Sequence, residues 1–460
     1  MVASLSLSVG SRVVGLAFVD GTADGIEWFD LGKNLATFGV LGNGYEPVLH
    51  RPPGYPLWVA AVLKLAVNPG RHIDAAVNSR GPIALRVADS LLLGLCGALL
   101  FLWLSRRLRA SSAFGAAVLL GTNAYSLVTA TMVHYDILQW VLLLGLVLYF
   151  DTAFKASDTG ALGLFFGGGL LLGIATLIRP VTSLVPFFFL PLFFGRKPGR
   201  TDRLRYLVLV GGMTLAIAPW TARNMALSGR LIPINAQGWN ALFASTSEVA
   251  RHDPDRYEWA LLTLRHFMPI YRRVTGEADY RPETYVKNVL ALEDATRTAG
   301  IQNIVSRPQV YLANVSNAAI GLNQDINAVI LTTFTRIQTG EPFDRRWIFL
   351  GVRKAMSRGV EADVFQALHD ILLCAAVGGI CLAAWRRDFF LAPALALWAA
   401  VVAVYALSYL DFFYYSVKMP FLVAFAFYFL DALPRALRCG LVVGLSALSL
   451  GLSWSMRLLG

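Results

Sequence analysis

The chain is built from apolar stretches long enough to cross a membrane, separated by short charged links. A helix needs roughly 20 mostly apolar residues to cross about 30 Å of hydrocarbon. Within that layer only helices and closed barrels satisfy their own backbone. Stretches of this kind run over about 84–104, 113–133, 137–154, 161–178, 181–194, 206–221, 365–385, 389–410, 418–433 and 439–455. A weaker one covers about 1–19 and carries Arg12 near its middle. A charge at mid-bilayer costs roughly 2.5–3.5 kcal/mol. Arg12 therefore sits near an interface, or the start is late, or the segment is a signal peptide; no small-residue cleavage site follows it. Only 15% of the residues are charged and 56% are hydrophobic, whereas a soluble domain is about a quarter charged. The expectation is an all-α integral membrane protein with about eleven spans.

The net charge of +11 raises the question of nucleic acid, but the basic residues cluster beside apolar spans, the pattern of topology signals and anionic headgroup contact. No nucleic-acid partner is expected. The links at 105–109, 195–205, 385–387 and 434–438 are rich in Arg and Lys, and counting spans puts all four on one side. By the positive-inside rule that side is the cytoplasm. The hydrophilic regions 20–83 and 222–364 then lie outside. Three parts follow: a transmembrane module over 1–221 containing the first outer loop, an extracytoplasmic segment over 222–364, and C-terminal helices over 365–460. Cys96, Cys374, Cys381 and Cys439 all fall in apolar stretches without metal-like spacing, and are expected to be packing residues without disulfides. In the segment PETYVKNVLALEDATRTAGIQNIV, the residues Val286, Leu290, Leu292, Ala295 and Ile301 have a helical period.

Ionisable residues at the outer boundary are the candidate chemistry. Asp24 follows the first span, and Trp28, Leu31 and Leu35 recur at helical spacing, so a short helix is expected along the membrane surface. Arg51-Pro52-Pro53-Gly54-Tyr55-Pro56 forms a rigid turn into another apolar helix, and fixed proline φ angles suit a loop that must hold Arg51 in one place. Asp136 lies between two spans with almost no loop, two residues after His134. Acids at that depth are rare and tend to face a cavity. Arg179-Pro180 marks a tight hairpin with Arg179 at its tip, Arg223 leaves the seventh span in APWTARN, and Tyr414, Tyr415 and Lys418 stand at the outer end of the tenth. Each also has a plain reading, as a solvated acid, a snorkelling arginine or an interfacial tyrosine belt. Residues scattered over the chain nevertheless map to one outer layer.

The order Asp24-x-x-x-Trp28, RPPGYPL, Asp136, Gly169-x-x-x-Gly173, Arg179-Pro180, PWTARN and Tyr414-Tyr415-x-x-x-x-Pro420 resembles the C-type glycosyltransferases over roughly residues 12–433. The look-alikes are bacterial dolichyl-phosphate-mannose protein mannosyltransferase-like enzymes and lipid A aminoarabinose transferases. Asp136 stands where that family often has Glu, and Tyr414 where it often has Arg. The resemblance implies transfer of a sugar from a polyprenyl-phosphate donor to a hydroxyl acceptor, with inversion, on the outer face of a bacterial cytoplasmic membrane. Membrane lipids and a lipid, glycan or protein acceptor are the implied partners. Departure of polyprenyl phosphate adds a negative charge, so cations stabilise the transition state more than the ground state. Arg51, Arg179, Arg223 and Lys418 are the candidates for that role. Asp24 is the expected general base, because an acceptor hydroxyl must lose its proton during attack, with Asp136 orienting the acceptor or supporting Asp24. Glu27, Tyr55, His134 and Tyr415 are candidate substrate contacts. No cofactor is expected, and a divalent metal is not favoured, since the clustered acids of nucleotide-sugar transferases are missing. The alternative is a transporter or flippase of lipid-linked or small polar substrates, which would place its charges at the bilayer midplane in paired halves.

Overall fold

The computed structural model describes residues 23–43, 46–67, 75–123, 126, 129–130, 134–156, 158–195, 199–246, 266–321, 360–407, 418–441 and 444–445. The first expected span (1–19), most of the last (439–455), and Tyr414 and Tyr415 lie outside these residues. Helix α1 (Ala23–Phe38) leads into a two-residue ladder of β1 (Gly42–Asn43) and β2 (Glu46–Pro47) and then α2 (Gly54–Ala66). The bundle follows with α3 (Ala75–Leu104), α4 (Ala110–Thr122), α5 (Asp136–Ala153), α6 (Asp158–Ile178), a 3-10 turn (Pro180–Leu184), α7 (Val185–Phe194) and α8 (Arg200–Ser228). The outer segment supplies α9 (Gly238–Ala244), α10 (Met268–Thr275), α11 (Pro282–Lys287), α12 (Val289–Ser306) and α13 (Pro308–Gly321). The chain re-enters the bundle with α14 (Val360–Arg386), α15 (Ala392–Leu407) and α16 (Met419–Asp431).

Among the described residues five helices are long and apolar enough to cross a membrane: α3, α5, α6, α8 and the 369–386 part of α14. The protein is a multi-pass membrane protein. The stretches expected over 113–133, 181–194, 389–410 and 418–433 carry shorter apolar helices. For example, α4 stops where Asn123 turns extended, at φ −60° and ψ 134°. Two elements are longer than their hydropathy suggests. Helix α3 begins at Ala75 and runs through Pro82, taking residues expected in the outer loop. Helix α8 has 29 residues, and at about 1.5 Å per residue it outruns a hydrocarbon layer of about 30 Å at its ends.

Close backbone approach organises the bundle. Helices α6 and α8 pack along much of their length, because Gly169, Gly173 and Gly212 line the contact. A Cβ on Gly169 would stand 2.1 Å from the Leu209 carbonyl oxygen, and one on Gly212 would stand 2.4 Å from that of Phe166. Small residues four apart allow this approach where lipid gives helices no hydrophobic reason to associate. The Gly169-x-x-x-Gly173 element is thus a packing device. Around it lies one aromatic-rich core that includes Trp103, Trp140, Phe150, Phe165, Phe189 and Phe425.

The basic links share one end of the bundle. There Arg106 pairs with Asp151 at 2.8 Å, Arg107 with Asp388 at 2.8 Å, and Tyr428 donates to Asp388 at 2.6 Å. Ser112 donates to Asp431 at 2.6 Å, so the links after α3, α5, α14 and α16 are stapled together. The opposite end gathers the starts of α5 and α16 and the ends of α6, α8 and α15.

Two expectations change. Cys374, Cys381 and Cys439 are exposed on the protein surface, and only Cys96 packs inside. The amphipathic segment breaks at Asn288, whose amide donates to the Thr284 carbonyl at 2.9 Å. This shifts the helical phase, so the inward face of α12 is Val289, Leu292, Thr296 and Gly300, while Ile301 is 43% exposed.

Gly169→Ala or Gly212→Ala is expected to lower the melting temperature of the purified protein in detergent, as overpacking costs typically about 1–3 kcal/mol. Gly211→Ala, which meets nothing within 4 Å, is the matched control and does not lower it, since alanine favours the helix over glycine.

Candidate active site

At the end away from the basic links, three rings form a triangle. Trp28 on α1 meets Tyr55 on α2 edge-on at 6.0 Å and Tyr135 at 5.5 Å, and Tyr55 meets Tyr135 at 6.2 Å. All three are buried. The Arg51 guanidinium lies 4.9 Å from the Trp28 ring centre, and that of Arg179 lies 4.4 Å from Tyr135 and 5.1 Å from Tyr405. Two cations from distant positions thus rest on one aromatic core. A cation over a ring face is favourable by about 0.5–1 kcal/mol when exposed and about 2 or more when desolvated.

Each cation also holds a carboxylate. Arg51 donates from Nε to Glu27 Oε2 at 3.0 Å and also pairs through Nη2, while His50 donates to the other Glu27 oxygen. Burial pushes the Glu27 carboxyl up, but the Arg51 charge and the hydrogen bonds from His50 and Arg51 outweigh it and hold the group well below its ordinary range. Arg179 donates to Asp136 Oδ1 at 2.6 Å, and His134 Nδ1 lies 3.0 Å from Asp136 Oδ2. This second group is almost wholly buried. Arg179 was expected at the tip of a hairpin. It turns inward instead, because its extended backbone (φ −143°, ψ 113°) between α6 and the 3-10 turn aims the side chain at the start of α5.

Glycine lets the two groups meet. A Cβ on Gly54 would stand 2.8 Å from both the Cα and the amide nitrogen of Ile178. The RPPG turn therefore lies directly against the residue preceding Arg179.

The Trp220-Thr221-Ala222-Arg223-Asn224 stretch fastens this arrangement. Trp220 Nε1 donates to the Ile234 carbonyl at 2.7 Å and Thr221 to that of Pro233 at 2.9 Å. The buried Asn224 amide donates to the Ile232 and Ile234 carbonyls, both at 3.1 Å. The strap thus held continues inward: Ala236 donates to the Leu49 carbonyl at 2.9 Å, and the Asn235 amide to that of His50 at 3.1 Å. Arg223 was assigned above to a donor phosphate. In the structure its guanidinium clamps the β1–β2 hairpin instead, donating to the Val48 carbonyl at 2.8 Å and the Leu41 carbonyl at 3.4 Å. Every polar side chain of the motif holds backbone carbonyls.

Lys418 caps α16, is buried, and donates to His369 on α14 at 3.0 Å. Tyr55 was expected to contact substrate, but it is fully buried in the aromatic triangle and serves as a core residue there. His134 is likewise enclosed. Asp24 lies in the first turn of α1, three residues before Glu27 in sequence; Tyr415 is outside the described residues. Among the described residues no group of three His, Cys, Asp or Glu side chains could hold a metal ion.

No family model and no curated protein sequence matches the chain. Solved structures do. The archaeal oligosaccharyltransferase AglB from Archaeoglobus fulgidus, in complex with an inhibitory peptide and a dolichol-phosphate, aligns over 99% of this chain and 55% of its own at 12% identity and a TM-score of 0.52. An Archaeoglobus fulgidus oligosaccharyltransferase in complex with zinc and sulfate aligns over 99% of this chain and 53% of its own, at 12% identity and a TM-score of 0.50. ArnT from Cupriavidus metallidurans, bound to undecaprenyl phosphate, covers 92% of this chain and 76% of its own, at 14% identity and a TM-score of 0.41. The fold is that of the C-type glycosyltransferases. This chain spans about half the length of the archaeal oligosaccharyltransferases it matches.

Within this C-type fold the structure adds polar residues that the sequence reading passed over. His50 directly precedes the RPPGYP turn and is buried against Glu27. His369 lies inside an apolar span, where an imidazole is a signal in itself. Asp89, 1% exposed, accepts from Trp58 Nε1 at 3.0 Å. Its second oxygen, the Tyr55 hydroxyl and the Trp28 indole N–H find no hydrogen-bond partner among the described residues. Unmatched buried polar atoms are uncommon, and here three belong to neighbouring elements.

Asn224→Ala removes the donor to the Ile232 carbonyl and one of the two donors to the Ile234 carbonyl, and is expected to cost about 1–3 kcal/mol. Limited proteolysis in detergent should then cut faster within residues 230–237, whereas Asn240→Ala leaves that cleavage rate unchanged.

Proposed function

We propose that this chain is a glycosyltransferase moving a monosaccharide from a polyprenyl-phosphate donor to a hydroxyl acceptor, with inversion. The reaction takes place at the face of the bilayer opposite the basic links, which by the positive-inside rule is the outer face of a bacterial cytoplasmic membrane. One observation carries the reading: two guanidinium–carboxylate pairs from distant helices share a single aromatic core at that end of the bundle. The fold supports it. So does the dolichol-phosphate in the complex of the archaeal oligosaccharyltransferase.

Arg51, Arg179 and Lys418 are the cations for the donor phosphate. A guanidinium carries five N–H donors in a fixed fork that matches carboxylate and phosphate oxygens. Glu27 and Asp136 hold Arg51 and Arg179 in place before the donor arrives, which is the preorganisation that makes such charges effective as the leaving group gains charge. His369 positions Lys418 in the same way. Asp24 takes the acceptor proton. It stands on the helix that carries Glu27 and Trp28, a turn from the Arg51 pair. Polyprenyl phosphate leaves without a general acid.

The test uses purified protein in nanodiscs, a panel of polyprenyl-phosphate monosaccharides, and envelope extract as acceptor, with released polyprenyl phosphate as the readout. Wild type consumes at least one monophosphate donor, and Asp24→Asn slows release by roughly 10²–10⁴-fold, the usual contribution of a positioned base. Equal rates for a folded Asp24→Asn variant overturn the assignment of the base. Sugar movement across the bilayer without donor consumption overturns the enzyme reading in favour of a transporter.

Exhaustive chelation is expected to leave the release rate unchanged, because a monophosphate donor can be neutralised by the protein's own cations. Loss of turnover that a divalent ion restores would establish metal dependence instead.

A further inference from the structure

The outer segment brings a second wall of aromatic residues to the Arg51 pair, and one ring of it is left open. Phe267, Tyr271 and Tyr285 are buried together with Met268 and Leu292 in a core of their own. Tyr280 belongs to the same cluster, 5.4 Å from Tyr271 and 5.9 Å from Tyr285 between ring centres, yet it is 46% exposed. Its position is built. Gly276 closes α10 at φ +75°. The Tyr271 hydroxyl then accepts from the Arg281 N–H at 3.0 Å and donates to the Arg281 carbonyl at 3.3 Å. Arg272 ties the Ala278 carbonyl at 2.8 Å, and Thr275 accepts from the Glu277 N–H at 3.2 Å. A half-exposed ring on so firmly tied a turn has little ordering entropy left to lose on binding.

The surroundings of this ring are polar. Tyr280 lies within electrostatic reach of Glu27 and Arg51. Tyr285 beside it meets His50 edge-on at 6.0 Å, and the half-buried amides of Gln237 and Asn240 stand at its hydroxyl. The Glu293 carboxylate completes the layer, accepting from the Asn240 N–H at 3.0 Å. An aromatic face beside planar amides and a guanidinium matches one ligand chemistry well. A sugar ring has one face of weakly positive C–H groups, which suits the negative face of an aromatic ring. Its edge carries hydroxyls that pair with amides and carboxylates. Sites lined by aromatics with a few placed polar groups are the general form of small-molecule recognition.

We infer that Tyr280 is the stacking platform of a sugar subsite, with Gln237 and Asn240 as its polar edge, set beside the Arg51–Glu27 pair. The subsite takes the sugar ring of the donor or of the acceptor; both present the same chemistry. Its place in catalysis rests on the reading proposed above, but binding of a sugar does not.

The test therefore begins without turnover. Saturation-transfer NMR on the protein in nanodiscs, with a panel of methyl glycosides, should show transfer to ring C–H groups of at least one glycoside. Tyr280→Ala lowers that transfer and Tyr280→Phe keeps it, with unchanged melting temperatures for both. No transfer to any glycoside in wild type, or equal transfer in wild type and Tyr280→Ala, overturns the subsite. Kinetics of polyprenyl-phosphate release then assign it. Tyr280→Ala raises the half-saturating level of donor, or of envelope extract, by roughly three- to tenfold, the span of one lost aromatic contact. A rise for donor places the donor sugar on the ring, and a rise for extract places the acceptor there. Glycoside transfer in a protein that consumes no donor keeps the subsite and removes the glycosyltransferase reading; donor consumption without glycoside transfer does the reverse.

Discussion

The contacts of Trp28 with Arg51 and with Tyr135 are the constraint that the end of the bundle away from the basic links is arranged around. Tyr135 in turn carries Arg179, so two guanidinium groups are linked through two rings. Like charges brought near a low-dielectric layer repel, and each would be expelled toward water if it stood alone. Here each is desolvated against a ring and matched by a carboxylate, Glu27 or Asp136. Removing one partner of a buried pair leaves an uncompensated charge and typically costs about 3–5 kcal/mol. The cations are therefore stable only as members of the assembled site.

That assembly depends on backbone held by backbone. Helix α8 ends in side chains that hold the carbonyls of Ile232, Pro233, Ile234, Val48 and Leu41. The strap they secure then holds Leu49 and His50 by their carbonyls, one residue from Arg51. Loops at a membrane surface have few apolar contacts to fix them, and hydrogen bonds to their carbonyls replace that packing. Gly54 does the remaining work by removing the one atom that would separate the RPPG turn from Ile178. A guanidinium in such a motif finds partners in neutral carbonyl oxygens as well as in anions, as Arg223 does.

Much of the layout was legible in the one-dimensional pattern. Helical spacing of Trp28, Leu31 and Leu35 correctly marked a helix, and the proline turn at 52–56 correctly marked the start of α2. Charge clusters mark links that meet at one end of the bundle, where Arg106 pairs with Asp151 and Arg107 with Asp388. The individual roles were less legible. Arg223 and Arg179 look alike in sequence, each beside an apolar span, yet one holds carbonyls and the other an acid. Tyr55 reads as a substrate contact and is packed in the aromatic core. His50, Asp89 and His369 carry no spacing signal at all, since their partners Glu27, Trp58 and Lys418 lie tens of residues away.

What the sequence determined by itself is the class of solvent each segment accepts. Apolar length specifies which residues form helices fit to cross a bilayer, and glycine four residues from glycine specifies a close helix contact. These are local properties, readable within one turn or one span. Which carboxylate meets which guanidinium was decided only by tertiary structure, because that choice depends on helix rotation and on approach distances near 3 Å between residues far apart in the chain. Arg179 turns inward to Asp136 only once α5 and α6 are packed with Gly54 against Ile178.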